Sequence, residues 1–532
     1  LNYNLLKAQI SNITKHHFQT LANFYSQFNI SIEFLKEIDW TGFKDLIEFS
    51  EEIIEDLNEK ENTAFEFFFV NNYLFSLLID NDKLDAARLE NDYFEGNLQE
   101  PTNNVFEYLE KCRRDNPNKF NPNKPMNKLR NEFLNEIANN EKIHPKNHFY
   151  SITAPTGIGK TFGCLVFANK LKKQLPSNTG RIIYCLPYTS IIDQNYEEFE
   201  KIIRFHKKEN YKQRPNRYLL KHHYQTPKTI KNRIKEENKN FQDYLDDQLL
   251  VESWKSSMIV TTFVQLFHSL IGNKNRFLKK FHHMVNSIVI LDEIQNIDPK
   301  FYLLTKKVFK ILAERFNLYF LQITATQPEI IDKDKTLQLI DTDKYMKNKL
   351  INRVELDIYP EKIEIELFLD NFLHTFNDAN CLIVVNTKTT AKTIYDQIHR
   401  EFSRNYEIFC LTTNLIPKDR KKQIKQIDNL LLNNENVIVI STQLIEAGVD
   451  LSFKTVFRDL APLESIIQVA GRCNRNGELG RLAGKMKLIN LDNNRIYPKI
   501  LLQYVREILK KSKYQSIEFH NLTSLYFKLF NF

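Results

Sequence analysis

Glycine is scarce in this chain, with 12 in 532 residues. Where so few are used, each is expected at a position whose backbone demands it. Three crowd together at 157, 159 and 163, and two more stand at 448 and 471. Cysteine is sparser still. Its six copies, at 112, 164, 185, 381, 410 and 473, form no Cys-x-x-Cys pair, which argues against zinc ligation and a disulfide frame. Most sit in apolar runs and read as small core residues in a reducing cytoplasm. No apolar run reaches the roughly 18 residues of a membrane span, and no signal peptide opens the chain, so neither spanning nor export is expected. The first residue is Leu, not Met, and the sequence is expected to begin inside a longer protein.

What the chain has instead is a phosphate-binding stretch. Ser151 to Gly163 reads SITAPTGIGKTFG: a strand-like run, a turn with two glycines, then a helical run from Lys160. Gly157 and Gly159 let backbone N–H groups close around phosphate, and the following helix turns its N-terminus to the charge. Lys160 would reach the β- and γ-phosphates, and the Thr161 hydroxyl would ligate Mg²⁺. Ala154 stands where the full pattern has its first glycine. A second apolar run, Ser287–Leu291, ends in Asp292-Glu293-Ile294-Gln295, 132 residues after the lysine. Asp292 would hold Mg²⁺ and Glu293 would polarise the attacking water. A third motif, Gln468-Val469-Ala470-Gly471-Arg472-Cys473-Asn474-Arg475, sets two arginines three apart, on one helical face and aimed at the same phosphates. Gln468 would orient the water or touch phosphate.

The organisation around these motifs is legible from periodicity. Residues 1–112 read as helical. Two places interrupt that pattern: His16-His17, and the run Asp80-Asn81-Asp82. Imidazole and carboxylate suit a transition metal, though such residues taken alone are more often structural. A polar run with three prolines, 113–126, reads as a linker. Beyond it, short apolar strands alternate with helices in two sets, 127–345 and 346–490, followed by a helical segment 491–532. Such alternation argues for two α/β units, each a parallel sheet covered by helices. The net charge is +8, yet residues 201–239 alone carry 13 Lys and Arg against 3 Glu. A basic excess so concentrated fits a nucleic-acid-facing surface, with His222-His223-Tyr224 contributing, or a solvated insertion.

Together and in this order, the three motifs resemble those of superfamily-two helicases over residues 127–490. The resemblance implies two tandem RecA-like domains with ATP and Mg²⁺ in the cleft between them. It adds Gly448 and Asp450 as nucleotide contacts from the second unit. Pro187, Thr261, Thr262, Asn386, Thr387, Thr442 and Gln443, at strand ends, become contacts to a nucleic-acid backbone. Thr324-Ala325-Thr326 keeps a hydroxyl where the family's third motif begins with Ser. The box Asp-Glu-Ile-Gln, the run Ser441 to Asp450 and the Arg472-Cys-Asn-Arg475 ending narrow the likeness to the CRISPR-associated helicase–nuclease of type I interference systems. There an all-helical HD-type nuclease precedes the motor, its metal (Mn, Ni, Co or Fe) held in part by a His-His pair and a late Asp. His16, His17 and Asp82 match those places, which makes residues 1–112 the C-terminal part of such a domain. The family's upstream His-Asp pair has no counterpart before His16. The implied partners are single-stranded DNA and an RNA-guided surveillance complex, with no membrane. The competing readings are a superfamily-two RNA helicase with a non-catalytic helical module and a binding module with a dead motor. Against the last stand Lys160, Asp292, Glu293, Arg472 and Arg475, all present.

Overall fold

Strands such as Ile288–Asp292 (IVILD) and Val437–Ser441 (VIVIS) are apolar without alternation, as strands covered on both faces must be. The computed structural model describes residues 61–86, 104–175, 180–223, 251–324 and 330–511, less 349, 351–352, 447–448, 450, 476, 478, 481–482, 492–495 and 498. Two all-parallel sheets dominate it. The first contains β1 (Phe149–Thr153), β2 (Ile182–Leu186), β3 (Leu219–His222), β4 (Met258–Thr262), β5 (Ile288–Asp292), β6 (Tyr319–Thr324) and β7 (Leu337–Gln338), in the order β3-β4-β2-β5-β6-β1-β7. The second contains β8 (Val354–Lys362), β9 (Asn380–Val384), β10 (Glu407–Leu411), β11 (Val437–Ser441), β12 (Thr455–Asp459) and β13 (Gly484–Asn490), in the order β10-β11-β9-β12-β13-β8. These are the two tandem RecA-like domains the sequence led us to expect. Strands β3, β7, β8 and β13 were not among the strands anticipated, being short, at a sheet edge or mixed with charge.

Alternation along each strand feeds two cores per sheet. In β2, Ile182, Tyr184 and Leu186 face one core while Ile183 and Cys185 face the other. The second sheet splits Leu382 and Val384 from Cys381 and Ile383 in the same way. Helix Val105–Asp115 contributes Val105 and Leu109 to the first sheet's core, and helix Lys499–Lys511 contributes Val505, Ile508 and Leu509 to the second's. An N-terminal helix, Glu61–Ala86, lies against the first sheet domain with Phe69 and Tyr73 in its core. Because every strand runs parallel, the carboxyl ends share one edge of each sheet, where α/β proteins build their sites. Thr153, Leu186, Thr262, Asp292 and Thr324 end their strands there, each followed by one of the motifs above.

Candidate functional site

The turn after β1 has the backbone the glycines foretold. Gly157 and Gly159 sit at φ +83° and +104°, in the left-handed region that L side chains rarely adopt. Gly159 caps helix Lys160–Lys172, and Thr161 lies in its first turn. The Lys160 ammonium donates to the Ala154 carbonyl at 3.2 Å and stands 3.9 Å from Glu293 Oε1, so β1 and β5 bring the first two motifs together. Tyr184 on β2 donates its hydroxyl to Asp292 Oδ2. Burial, and then the neighbouring Glu293 charge, hold the Asp292 carboxyl above its usual range. Two close carboxylates at the mouth of a phosphate loop fit a divalent cation, whose charge would relieve that repulsion. Gln295 donates to the Glu293 carboxylate and accepts from Thr324 Oγ1 at 2.8 Å, linking the second motif to the end of β6.

The arginine motif differs from the expectation of one helical face. Helix Leu463–Ala470 stops before either arginine, and Gly471 ends it. Arg472 is buried and turns back to the carbonyls of Ile445 (3.1 Å) and Glu446 (2.8 Å). Its described contacts brace the loop after β11. Arg475 is half-buried and reaches the Gly471 carbonyl at 3.5 Å. Gln468, half-buried, remains on the helix. The two sheet domains meet here: a Cβ at Gly471 would stand 2.9 Å from Thr156 Oγ1 in the phosphate loop.

Sequence reasoning missed two arginines beside the same loop. Arg130 donates through Nε to the Gly157 carbonyl at 2.9 Å. Arg353, just before β8, donates to the Arg475 carbonyl, while its Nη2 stands 3.8 Å from where a Gly157 Cβ would be. Burial, then the charges of Arg475 and Arg130, push the Arg353 guanidinium down to about 10. Two guanidiniums beside a phosphate loop, with the Arg475 charge acting on one of them, suit an anion. Neither residue carried a local signal, since both reach the loop only through the tertiary fold.

The residues expected on nucleic acid are mostly committed elsewhere. Thr261 and Thr262 are buried: the first donates to the His222 carbonyl at 2.8 Å, and the second caps helix Phe263–Ile271. Thr387 caps helix Lys388–Phe402, and Thr442 is buried. Asn386 and Gln443 belong to a knot around the fully buried Arg458, which also holds Glu446 (2.9 Å), Ser465 and Tyr497. Pro187 follows β2, half-buried. His222 and His223 are buried too, which corrects their expected place on a nucleic-acid surface. His16, His17, Gly448 and Asp450 lie outside the described residues. Asp82 is exposed and Asp80, two residues earlier, is buried, so the pair point opposite ways from the helix.

Comparison with known proteins matches this picture. The model of the CRISPR-associated nuclease/helicase Cas3, C-terminal, matches residues 377–478, and that of the DEAD/DEAH box helicases matches 130–333. The chain is 27% identical over 432 residues to the CRISPR-associated nuclease/helicase Cas3 of Haloferax volcanii, covering 63% of this chain and 46% of that one. A Cas3 homologue of Methanocaldococcus jannaschii is 22% identical over 562 residues, 94% of this chain and 72% of its own. In fold, the ATP-bound Cas3 crystal structure from T. fusca superposes with a TM-score of 0.59 at 16% identity, over 74% of this chain and 51% of that one. The chain thus spans about half the length of the first of these relatives and of that structure. With a phosphate loop, an acidic pair and an arginine-bearing loop meeting between two RecA-like domains, the chain is similar to the CRISPR-associated Cas3 helicases.

Proposed function

We propose that this chain is an ATP-driven translocase on single-stranded DNA, joined to a metal-dependent DNA nuclease and recruited by an RNA-guided surveillance complex to invading DNA. The observation that carries it is the cleft: Lys160 lies 3.9 Å from Glu293 while Gly471 and Arg353 of the second domain abut the phosphate loop, Arg353 tied in turn to the Arg475 carbonyl. This juxtaposition supports reading the two domains as the two halves of an ATP site. Thr161 and Asp292 would hold Mg²⁺, which would neutralise charge on the phosphates. Lys160 binds the phosphates, Glu293 orients water and takes its proton, and the cleft arginines offset the charge that grows on the γ-phosphoryl. Glu293, at φ +57° and tied to Gln295, connects that chemistry to Thr324 at the end of β6.

The DNA assignment, 3′-to-5′ movement and the nuclease follow from the family likeness. Asp82, exposed on the N-terminal helix, is the described residue we assign to the nuclease metal, with His16 and His17 as its further ligands. The test is strand displacement from a duplex with a single-stranded 3′ tail. ATP-dependent unwinding of a DNA-tailed substrate supports the reading. Unwinding restricted to RNA tails would replace it with an RNA helicase.

A further inference from the structure

The N-terminal helix carries two aspartates with opposite surroundings. Its buried stripe runs through Phe69, Tyr73, Ser76, Asp80 and Leu84, spaced by three and four residues, against the first sheet domain. Asp80 is 2% exposed, which no carboxylate tolerates unpaired. Its side-chain partners among the described residues come from the first sheet domain. Ser253 donates to Oδ1, and Oδ2 receives Lys255 Nζ at 3.2 Å, His283 Nε2 at 3.3 Å and His282 Nε2 at 3.5 Å. Ser76, one turn earlier, bonds His282 Nδ1 at 2.8 Å, which leaves the Nε2–H of that ring to donate to Asp80. Between Ser253 and Lys255, Trp254 sits at φ +58°, an outlier for so large a side chain. That strained residue turns both its neighbours toward one carboxylate.

Two imidazoles and a carboxylate at these spacings are also a metal-ligand set. Here, however, the buried Lys255 ammonium touches the same Oδ2 and supplies the compensating charge, so an added dication would leave the knot with buried net positive charge. We propose that Asp80 is a positioning residue. Its ion-free knot with Ser253, Lys255, His282 and His283 fixes the helix to the motor domain, and so fixes Asp82, on the opposite face, relative to the ATP-driven machinery. The last step rests on the reading of Asp82 as a nuclease-metal ligand.

Hydrogen exchange on the full chain tests it. Asp80→Asn removes the charge that faces the Lys255 ammonium, so amides of 61–86 should exchange about a hundredfold faster or more, while β5 keeps its protection. Asp80→Leu with Lys255→Met removes both charges and should restore most of the protection, as a coupled pair requires. Unchanged exchange in Asp80→Asn, or no recovery in the double variant, overturns the knot. So does Zn²⁺ or Mn²⁺ that slows exchange of the helix in the parent but not in Asp80→Asn, since the cluster is then a metal site. Mn²⁺-dependent cleavage of single-stranded DNA separates the second claim. Cleavage should vanish in Asp82→Asn and fall about tenfold in Asp80→Asn, with ATP turnover unchanged. Cleavage that survives Asp82→Asn removes the nuclease reading and leaves the knot standing. Cleavage that ignores a loosened helix overturns the positioning role.

Discussion

At the scale of single residues, the cleft places Arg353 beside Gly157 of the phosphate loop, though it belongs to no motif. It is tied to the Arg475 carbonyl, and its own carbonyl accepts from Asn474 at 3.2 Å, so it also shapes the loop that carries the arginine motif. Arg353→Ala should cut ATP turnover by about a hundredfold or more, as loss of a charge-stabilising arginine does. Arg353→Lys keeps the charge but not the fork, and should recover little of that rate. A steady-state phosphate-release assay measures both. Gly471 makes a second case. Its backbone is ordinary helical, but a methyl there would press on Thr156 across the cleft and on the Gln468 carbonyl. Gly471→Ala should therefore leave the melting temperature near the parent's and lower turnover by at least about tenfold.

Among the elements, the N-terminal helix has its own signature. Burial is the main cause that keeps both imidazoles of the Asp80 knot below their ordinary pKa of 6.5; Asp80 favours protonation of both, while Arg181 and Lys255 oppose it at His282, and the His282 ring and Arg181 oppose it at His283. A histidine held neutral in the fold stabilises it above the unfolded pKa and loses that contribution as pH falls below it. The Asp80 carboxylate, held far below its usual range, stays ionised throughout that window. Exchange of the helix amides, corrected for intrinsic rates, should accelerate between pH about 7 and about 5.5. A helix with equal protection across that range would contradict the assignment. Elements also show how far the sequence could be read. The central strands were legible because parallel strands buried on both faces are unbroken apolar runs. The helix Leu463–Ala470 ended earlier than its spacing suggested, because Gly471 and the close approach to Thr156 stop it. The threonines at strand ends were read as nucleic-acid contacts, yet Thr262 and Thr387 cap helices, a role their position before an apolar helix also announces. Arg130, Arg353 and the Asp80 knot were invisible, since each joins residues far apart in sequence.

At the scale of the whole molecule, the proposed ATP site draws on both sheet domains, since Gly471 of the second stands against Thr156 at the carboxyl edge of the first. The Arg458 knot makes the second domain's half of the cleft a single unit, because Asn386 after β9, Glu446 after β11 and Ser465 on helix Leu463–Ala470 all meet one buried guanidinium. Arg458→Ala leaves Glu446 buried without its partner, which costs about 3–5 kcal/mol, and should lower the melting temperature by several degrees in calorimetry. The central claim is that closing this cleft on ATP drives movement along single-stranded DNA. ATP turnover by the full chain, with and without single-stranded DNA and beside a matched RNA, tests it most directly. Turnover should rise severalfold with DNA, respond weakly to RNA, and vanish in Lys160→Ala. Turnover indifferent to DNA, or retained in Lys160→Ala, would contradict it.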